Sequence, residues 1–150
     1  MHPPTEKQPL KLERNLAGLL LISPWVSFET KANSYEDNKL RDIVIVPCLD
    51  QLIPDYVHPS ERNNWSEPCL ADASWWSGIP VRKILNVYGA YELFKDDIAI
   101  FGRTLERAGC QVEIVECPLQ VHIDCILDAQ AGSEVGLMSL KIWEWLTKLF

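Results

Sequence analysis

The chain has 150 residues, of which 47% are hydrophobic and 23% are charged, enough apolar sequence for one globular domain with a core. Its 14 Lys and Arg residues and 21 Asp and Glu residues give a formal net charge of -7. This charge disfavours nucleic acid as a partner, because phosphate backbones are also negative. No apolar run approaches the roughly 20 residues that span a bilayer, so we expect no stable membrane insertion.

The cysteines and the start of the chain bear on the cellular compartment. The five cysteines stand at positions 48, 69, 110, 117 and 125, and no pair is spaced C-x-x-C. We therefore expect no zinc site and reduced, mostly buried thiols, which favours the cytoplasm among compartments that the sequence leaves open. No bound metal or cofactor is expected. Residues 1–15 are polar, lack the apolar centre of a signal peptide, and are predicted to form a flexible lead.

Three apolar runs predict β-strands that are buried on both faces, as strands of a parallel sheet are. They cover 16–22, 84–88 and 112–117. An apolar stripe at helical spacing follows the second run and predicts a helix, with Gly109 as its C-terminal cap. That stripe consists of Phe94, Ile98, Phe101, Leu105 and Ala108. A last helix is predicted over 134–150, with Gly132 and Ser133 at its N-terminal cap.

Between the first two strands lies an insertion, about residues 29–79, that is too long to be a simple loop. Residues 47–57 predict a short helix within it. Trp65, Trp75 and Trp76 follow, and they either line an apolar substrate pocket or form the core of the insertion. Alternating strands and helices predict an α/β fold with a parallel sheet over 16–150. Three strands are few for such a sheet, so we expect that part of the sheet is missing from this chain or comes from elsewhere.

Two candidate catalytic residues follow neighbouring strands. Ligands of open α/β sheets bind beyond the carboxyl ends of the strands, and Glu92 and His122 follow the second and third strands there. A carboxylate bonded to an imidazole fixes its tautomer and stabilises the imidazolium formed in acyl transfer. Asp96 is the next candidate for the acid. A pair of His122 with Cys117 or Cys125 is the less favoured alternative.

Several segments around these residues follow the pattern of one known family. Residues 89–97 resemble a G-x-x-D-x-L-x-D-D segment whose first acidic position is Glu92, and residues 108–112 resemble an A-G-x-x-V turn. Residues 19–25 resemble the strand after the family's nucleophile helix, 67–71 with 78–80 resemble the return from its insertion, and Val121-His122 matches the position of its catalytic histidine. Together these segments resemble the hormone-sensitive-lipase-like esterases of the α/β-hydrolase fold-3 family, a group that includes fungal steryl acetyl hydrolases.

The resemblance implies the C-terminal portion of an α/β-hydrolase with a helical cap at 29–79. It implies a carboxylic ester hydrolase, esterase or lipase-like, with Glu92 as triad acid and His122 as triad histidine. Trp65, Trp75 and Trp76 are the candidate substrate-binding residues. The expected substrate is a small apolar ester, such as a sterol ester or an ester of fungal secondary metabolism.

The chain departs from this family at three places. Glu92 replaces the usual Asp, and Leu119 replaces a glycine, which tolerates a positive φ that leucine does not. The 150 residues contain neither the G-x-S-x-G of a nucleophile nor the His-Gly-Gly of an oxyanion hole. The alternatives are therefore a catalytically inactive, truncated hydrolase-like protein or binding module, and a two-chain enzyme. In the isolated 150-residue chain, an unpaired edge at the first strand would favour aggregation or self-association.

Overall fold

The computed structural model describes residues 12–150, and most of the predicted lead, residues 1–15, lies outside this range. The three strands are β1 (Leu19–Ile22), β2 (Ile84–Gly89) and β3 (Val112–Cys117). They run parallel in the order β1-β2-β3, which confirms the predicted α/β fold class. The first strand begins later than predicted, because Leu16 forms only an isolated bridge with Val81.

Helices occupy the insertion and both faces of the sheet. They are α1 (Asn33–Asp37), α2 (Val46–Tyr56), α3 (Ala73–Trp76), α4 (Lys95–Arg107), α5 (Asp124–Ala131) and α6 (Leu137–Thr147), with 3-10 turns at Pro59–Glu61 and Pro68–Leu70. The predicted helices over 47–57 and after the second strand are confirmed as α2 and α4. None of the helices within residues 12–150 has the length and apolar character needed to cross a membrane.

The core lies in two layers on either side of β2, every residue of which is buried. On one face, Ile84 and Tyr88 pack in the cluster that holds the buried side of α4. On the other face, Leu85 and Val87 pack in the cluster that holds the buried side of α6. Each fully buried aliphatic side chain stabilises the fold by about 1.5–3 kcal/mol, so both clusters hold β2 in place. This two-sided burial explains why the strands are continuous apolar runs.

The C-terminal region differs from the prediction. Gly132 ends α5 in a left-handed conformation with φ 64, and Gly136 is the N-terminal cap of α6. The prediction that Gly132 and Ser133 cap the last helix was therefore wrong, as was its start at residue 134. Helix α5 was missed because none of its residues is buried, so its sequence carries no apolar stripe to detect.

Within residues 12–150, β1 and β3 are the edges of the sheet. The amides of Leu19 and Ser23 donate to the carbonyls of Lys83, just before β2, and Val87, within β2. Because alternate amides of a strand point in opposite directions, those of Leu20 and Ile22 face away from β2.

Candidate active site

The carboxyl ends of β2 and β3 bring two loops together, which we call the acid loop (90–94) and the histidine loop (118–123). The amide of Tyr91 donates to the carbonyl of Gln120 at 2.9 Å, and that of Ala90 to the carbonyl of Cys117 at 2.9 Å. Gly89 makes this approach possible, since a Cβ at that position would collide with the Gln120 carbonyl.

Glu92 is fully buried in the acid loop, with 0% of its surface exposed. Its Oε1 accepts hydrogen bonds from the Ser23 hydroxyl at 2.5 Å and from the Gly89 amide at 2.6 Å. These two donors orient the carboxylate and leave its second oxygen, Oε2, directed at His122. Burial and two donors thus fix the carboxylate before any substrate is bound.

His122 lies between this carboxylate and the surface, with 18% of its side chain exposed. Its Nδ1 is 3.3 Å from Glu92 Oε2, at the long end of the hydrogen-bond range. The ring of Phe94 stands edge-on to the imidazole, with the ring centroids 5.3 Å apart. The structure therefore brings the two predicted site residues together. A carboxylate at Nδ1 leaves Nε2 as the nitrogen that can exchange a proton with a reacting group.

Three polar residues that the sequence analysis did not single out hold the two loops. The Ser23 hydroxyl, just after β1, donates to Glu92 and also accepts from the amide of Ile123 at 3.0 Å. Asn38 donates to the carbonyls of Ala90 and Glu92 at 3.1 and 2.9 Å. Asp42 accepts from the backbone of both loops. Ser23 was detectable, because it follows a strand at the carboxyl edge of the sheet, whereas nothing local marks Asn38 or Asp42.

The backbone of the histidine loop is strained. Leu119 has φ 63 and Ile123 has φ 50, both in the left-handed region that favours glycine. Leu119, which stands where a glycine was expected, therefore adopts the left-handed backbone conformation that a glycine would tolerate. Such conformations persist only where surrounding contacts impose them.

Asp96, the alternative candidate for the acid, makes its hydrogen bond to the insertion and not to His122. Its carboxylate accepts from the amide of Ser34 at 2.9 Å, at the start of α1. Its neighbour Asp97 lies against the Tyr35 hydroxyl at 3.4 Å. Burial raises the pKa of Asp97 to about 6, with nearby carboxylates adding to the effect and the Tyr35 hydroxyl opposing it. Both carboxylates thus join the start of α4 to the insertion.

The cysteines that flank His122 are poor nucleophiles. Cys117 is fully buried, and burial raises the pKa of its thiol to about 11, with the charge of Glu92 adding to the shift. Burial also raises the pKa of Cys125. Since the thiolate is the reactive form, this electrostatic setting disfavours a Cys–His pair. Within the described range, no three His, Cys, Asp or Glu side chains are arranged to hold a metal ion.

The predicted substrate-binding tryptophans form their own cluster. Trp75 contacts Trp65 and Trp76, with ring centroids 5.0 and 4.5 Å apart, and Trp76 contacts Phe101 of α4 at 5.2 Å. These contacts place the cluster along α4. The role of the tryptophans in substrate binding stays a prediction.

A different set of aromatic rings reaches the imidazole. Trp25 is stacked on Phe94 with centroids 5.9 Å apart, and Phe94 is the ring that contacts His122. Trp25 also contacts Phe28 and Tyr56. This group was missed, although Trp25 comes two residues after Ser23 at the same edge of the sheet.

Several solved structures with a similar fold are esterases or lipase homologues. A hormone-sensitive lipase from a metagenome library matches with a TM-score of 0.74 and 22% identity, over 91% of this chain and 46% of that one. A second hormone-sensitive-lipase homologue from a metagenome library also has a TM-score of 0.74 and 22% identity, over 91% of this chain and 44% of its own. A thermostable esterase from Pseudomonas putida matches with a TM-score of 0.66 and 18% identity, over 72% of this chain and 34% of that one.

The chain thus spans between a third and a half of the length of these structures. No curated protein matches it in sequence. A family model described as alpha/beta hydrolase fold matches residues 5–125, a range that includes Glu92 and His122. The chain therefore belongs to the alpha/beta hydrolase fold family.

Proposed function

We propose that this chain supplies the acid and the histidine of a serine-type carboxylic ester hydrolase, an esterase or lipase-like enzyme. The observation that carries the proposal is the buried Glu92 carboxylate, held by two donors and directed at Nδ1 of His122. The family model and the esterase neighbours support it. The nucleophile would come from polypeptide outside these 150 residues, either continuous with them or on a second chain.

In the proposed reaction, a serine hydroxyl attacks the ester carbonyl while Nε2 of His122 takes its proton. The same nitrogen returns that proton to the leaving alcohol, and a water molecule then releases the acid by the reverse steps. Glu92 accepts a hydrogen bond from Nδ1–H throughout, stays ionised, and stabilises the imidazolium. Ser23 and the Gly89 amide keep the carboxylate in place for this role.

The proposed substrate is a small apolar ester, such as a sterol ester or an ester of secondary metabolism. Apolar groups beside the imidazole favour it: Phe94 contacts His122, and Trp25 stacks on Phe94. Trp65, Trp75 and Trp76 would add a second apolar surface in the insertion.

The test is hydrolysis of a p-nitrophenyl ester by the 150-residue chain and by a version extended in frame into the upstream coding sequence. We expect turnover in the extended protein only. His122→Ala should lower its rate by roughly 10⁴-fold or more, and Glu92→Gln by a similar factor, since a glutamine cannot stabilise the imidazolium.

Matched variants separate chemistry from folding. His58→Ala removes an exposed histidine, and Glu67→Gln alters a buried glutamate that accepts from the Phe28 amide. Both should keep the full rate. If the extended protein were active and insensitive to His122→Ala and Glu92→Gln, the proposed mechanism would be wrong.

A second candidate function is a catalytically inactive, hydrolase-like binding module. The absence of G-x-S-x-G from the 150 residues favours it. It predicts an upstream coding sequence without an in-frame nucleophile motif, and no ester turnover in any extended version.

Self-association through β1 is a further proposal for this chain. The amides of Leu20 and Ile22 face away from β2, and an exposed strand edge is a template for pairing with another chain. Hydrogen exchange tests it, with the amides of Leu19 and Ser23 as internal controls because both are bonded beside β2. Slow exchange of Leu20 and Ile22 that disappears on dilution supports pairing, and fast exchange at every concentration contradicts it.

A further inference from the structure

Asp42 connects the acid loop and the histidine loop through a single carboxylate. It lies in the insertion, in the turn that follows α1. Its Oδ2 accepts from the amide of Leu93 at 2.7 Å, and its Oδ1 accepts from the amide of His122 at 3.1 Å. One of these donors is adjacent to the candidate acid, and the other belongs to the candidate histidine itself. A third amide, that of the neighbouring Ile43, donates to the same Oδ1 at 2.7 Å.

The rest of this turn holds only the acid loop. Asn38 donates to two carbonyls there, and the guanidinium of Arg41 lies 4.9 Å from the centre of the Tyr91 ring. Of these three residues of the turn, Asp42 is the one whose polar contacts extend to the histidine loop. That loop most needs external contacts, because it holds two non-glycine residues at positive φ.

We propose that Asp42 is a positioning residue that sets the distance between Glu92 and the imidazole of His122. The inference rests on the proposed function of that pair. At 3.3 Å, the Nδ1–Oε2 contact is already long, so a small shift of the histidine loop would break it. Errors of about 1 Å in such an arrangement are enough to lower a rate by roughly a hundredfold.

The chemistry of the contact sets the choice of variants. All three partners of Asp42 are backbone amides, and they are divided between its two oxygens, so two acceptor oxygens are needed at this position. Asn offers one acceptor and directs an NH₂ donor at the other amide. Glu keeps both oxygens on a longer side chain. The expected order of damage is therefore Asp42→Asn greater than Asp42→Glu.

The experiment uses the 150-residue chain with ¹⁵N-labelled histidine, since the nitrogen shifts of an imidazole report its tautomer. His122→Ala identifies the signals of His122 among the three histidines. In the wild type we expect the Nδ1–H tautomer, which a carboxylate at Nδ1 selects. Asp42→Asn should lose most of this preference, and Asp42→Glu should lose less. Asp37→Asn, which removes one exposed carboxylate from the same insertion, should match the wild type.

Two results would overturn the proposal, and they are distinguishable. If both Asp42 variants keep the wild-type signals of His122 while their unfolding midpoints fall, Asp42 only stabilises the fold. If the wild type itself lacks the Nδ1–H tautomer, Glu92 does not pair with His122, and the proposed function fails together with the role of Asp42. Should Asp42→Asn not fold, the comparison of Asp42→Glu with Asp37→Asn decides the matter: wild-type signals in Asp42→Glu would count against the proposal.

Discussion

The acid loop and the histidine loop occupy the same edge of the sheet but differ in what holds them. In the acid loop, Glu92 and Leu93 are fully buried, and every residue has an ordinary negative φ. The histidine loop is more exposed and contains Leu119 and Ile123 in left-handed conformations. The acid loop is therefore part of the core, whereas contacts from other segments impose the shape of the histidine loop.

Because of this difference, we expect Glu92 to contribute more than His122 to the stability of the fold. The groups around Glu92 are buried donors that need an acceptor, so the acid is structural as well as a candidate for catalysis. His122 is partly exposed, and among residues 12–150 its imidazole has one polar contact, the one to Glu92. Losing that ring removes little of the fold.

The largest expected effect is on the acid side. Glu92→Ala should lower the free energy of unfolding by about 3 kcal/mol, because it leaves the Ser23 hydroxyl and the Gly89 amide buried without an acceptor. His122→Ala should lower it by about 1 kcal/mol or less. Urea unfolding of both variants measures the comparison, with Glu92→Gln as the variant that retains an acceptor. Equal losses in the two alanine variants would show that Glu92 is not the more structural of the pair.

Asp97, which lies in the first turn of α4 just after the acid loop, should contribute to the pH dependence of stability. Its folded-state pKa of about 6 lies above its ordinary value of 3.8, so the folded chain binds the extra proton between these pH values. Stability is therefore lost as the pH rises from about 4 through 6. Asp97→Asn should remove this loss and be more stable than the wild type above pH 6. Since Asp97 is only half-buried, solvent screening limits the gain to roughly 1–2 kcal/mol.

Unfolding measured at several pH values checks this prediction, with the exposed Asp55→Asn as a control of equal charge change. A gain for Asp97→Asn that stays the same at pH 4 and pH 7 would rule out titration of Asp97 as its cause.

The parts of the fold that were predicted from the sequence are those whose apolar residues form a continuous run or recur at helical spacing. The three strands and α4 were predicted because burial on two faces, or along one stripe, leaves a clear pattern. Helix α5 has no buried residue and left no such pattern. The cap of the last helix was misplaced because a glycine at the end of one helix was taken as the start of the next.

For the site, position along the chain was enough to predict that Glu92 and His122 lie close together, since both follow strands of a parallel sheet, while their catalytic role stays a prediction. It was not enough for Asp42, which is 51 residues from one partner and 80 from the other. Contacts of this kind depend on the path of the chain through the insertion, and no hydrophobic periodicity in the sequence predicts that path. At Leu119 the sequence showed only that a leucine replaces an expected glycine. It did not show whether the backbone there keeps a positive φ, which the structure does.

The smallest expected effect tests the strain in the histidine loop. Leu119 is 74% exposed, so its side chain adds little to the core, while its left-handed backbone costs about 1–2 kcal/mol. Leu119→Gly relieves that cost, and the greater freedom of glycine in the unfolded chain offsets part of the gain. The free energy of unfolding should therefore rise by about 0.5–1 kcal/mol. Leu119→Ala is the control, since it removes most of the side chain and keeps the unfavourable φ, and it should bring no gain. If alanine stabilised the chain as much as glycine does, the exposed leucine side chain and not the backbone would be the source of the instability.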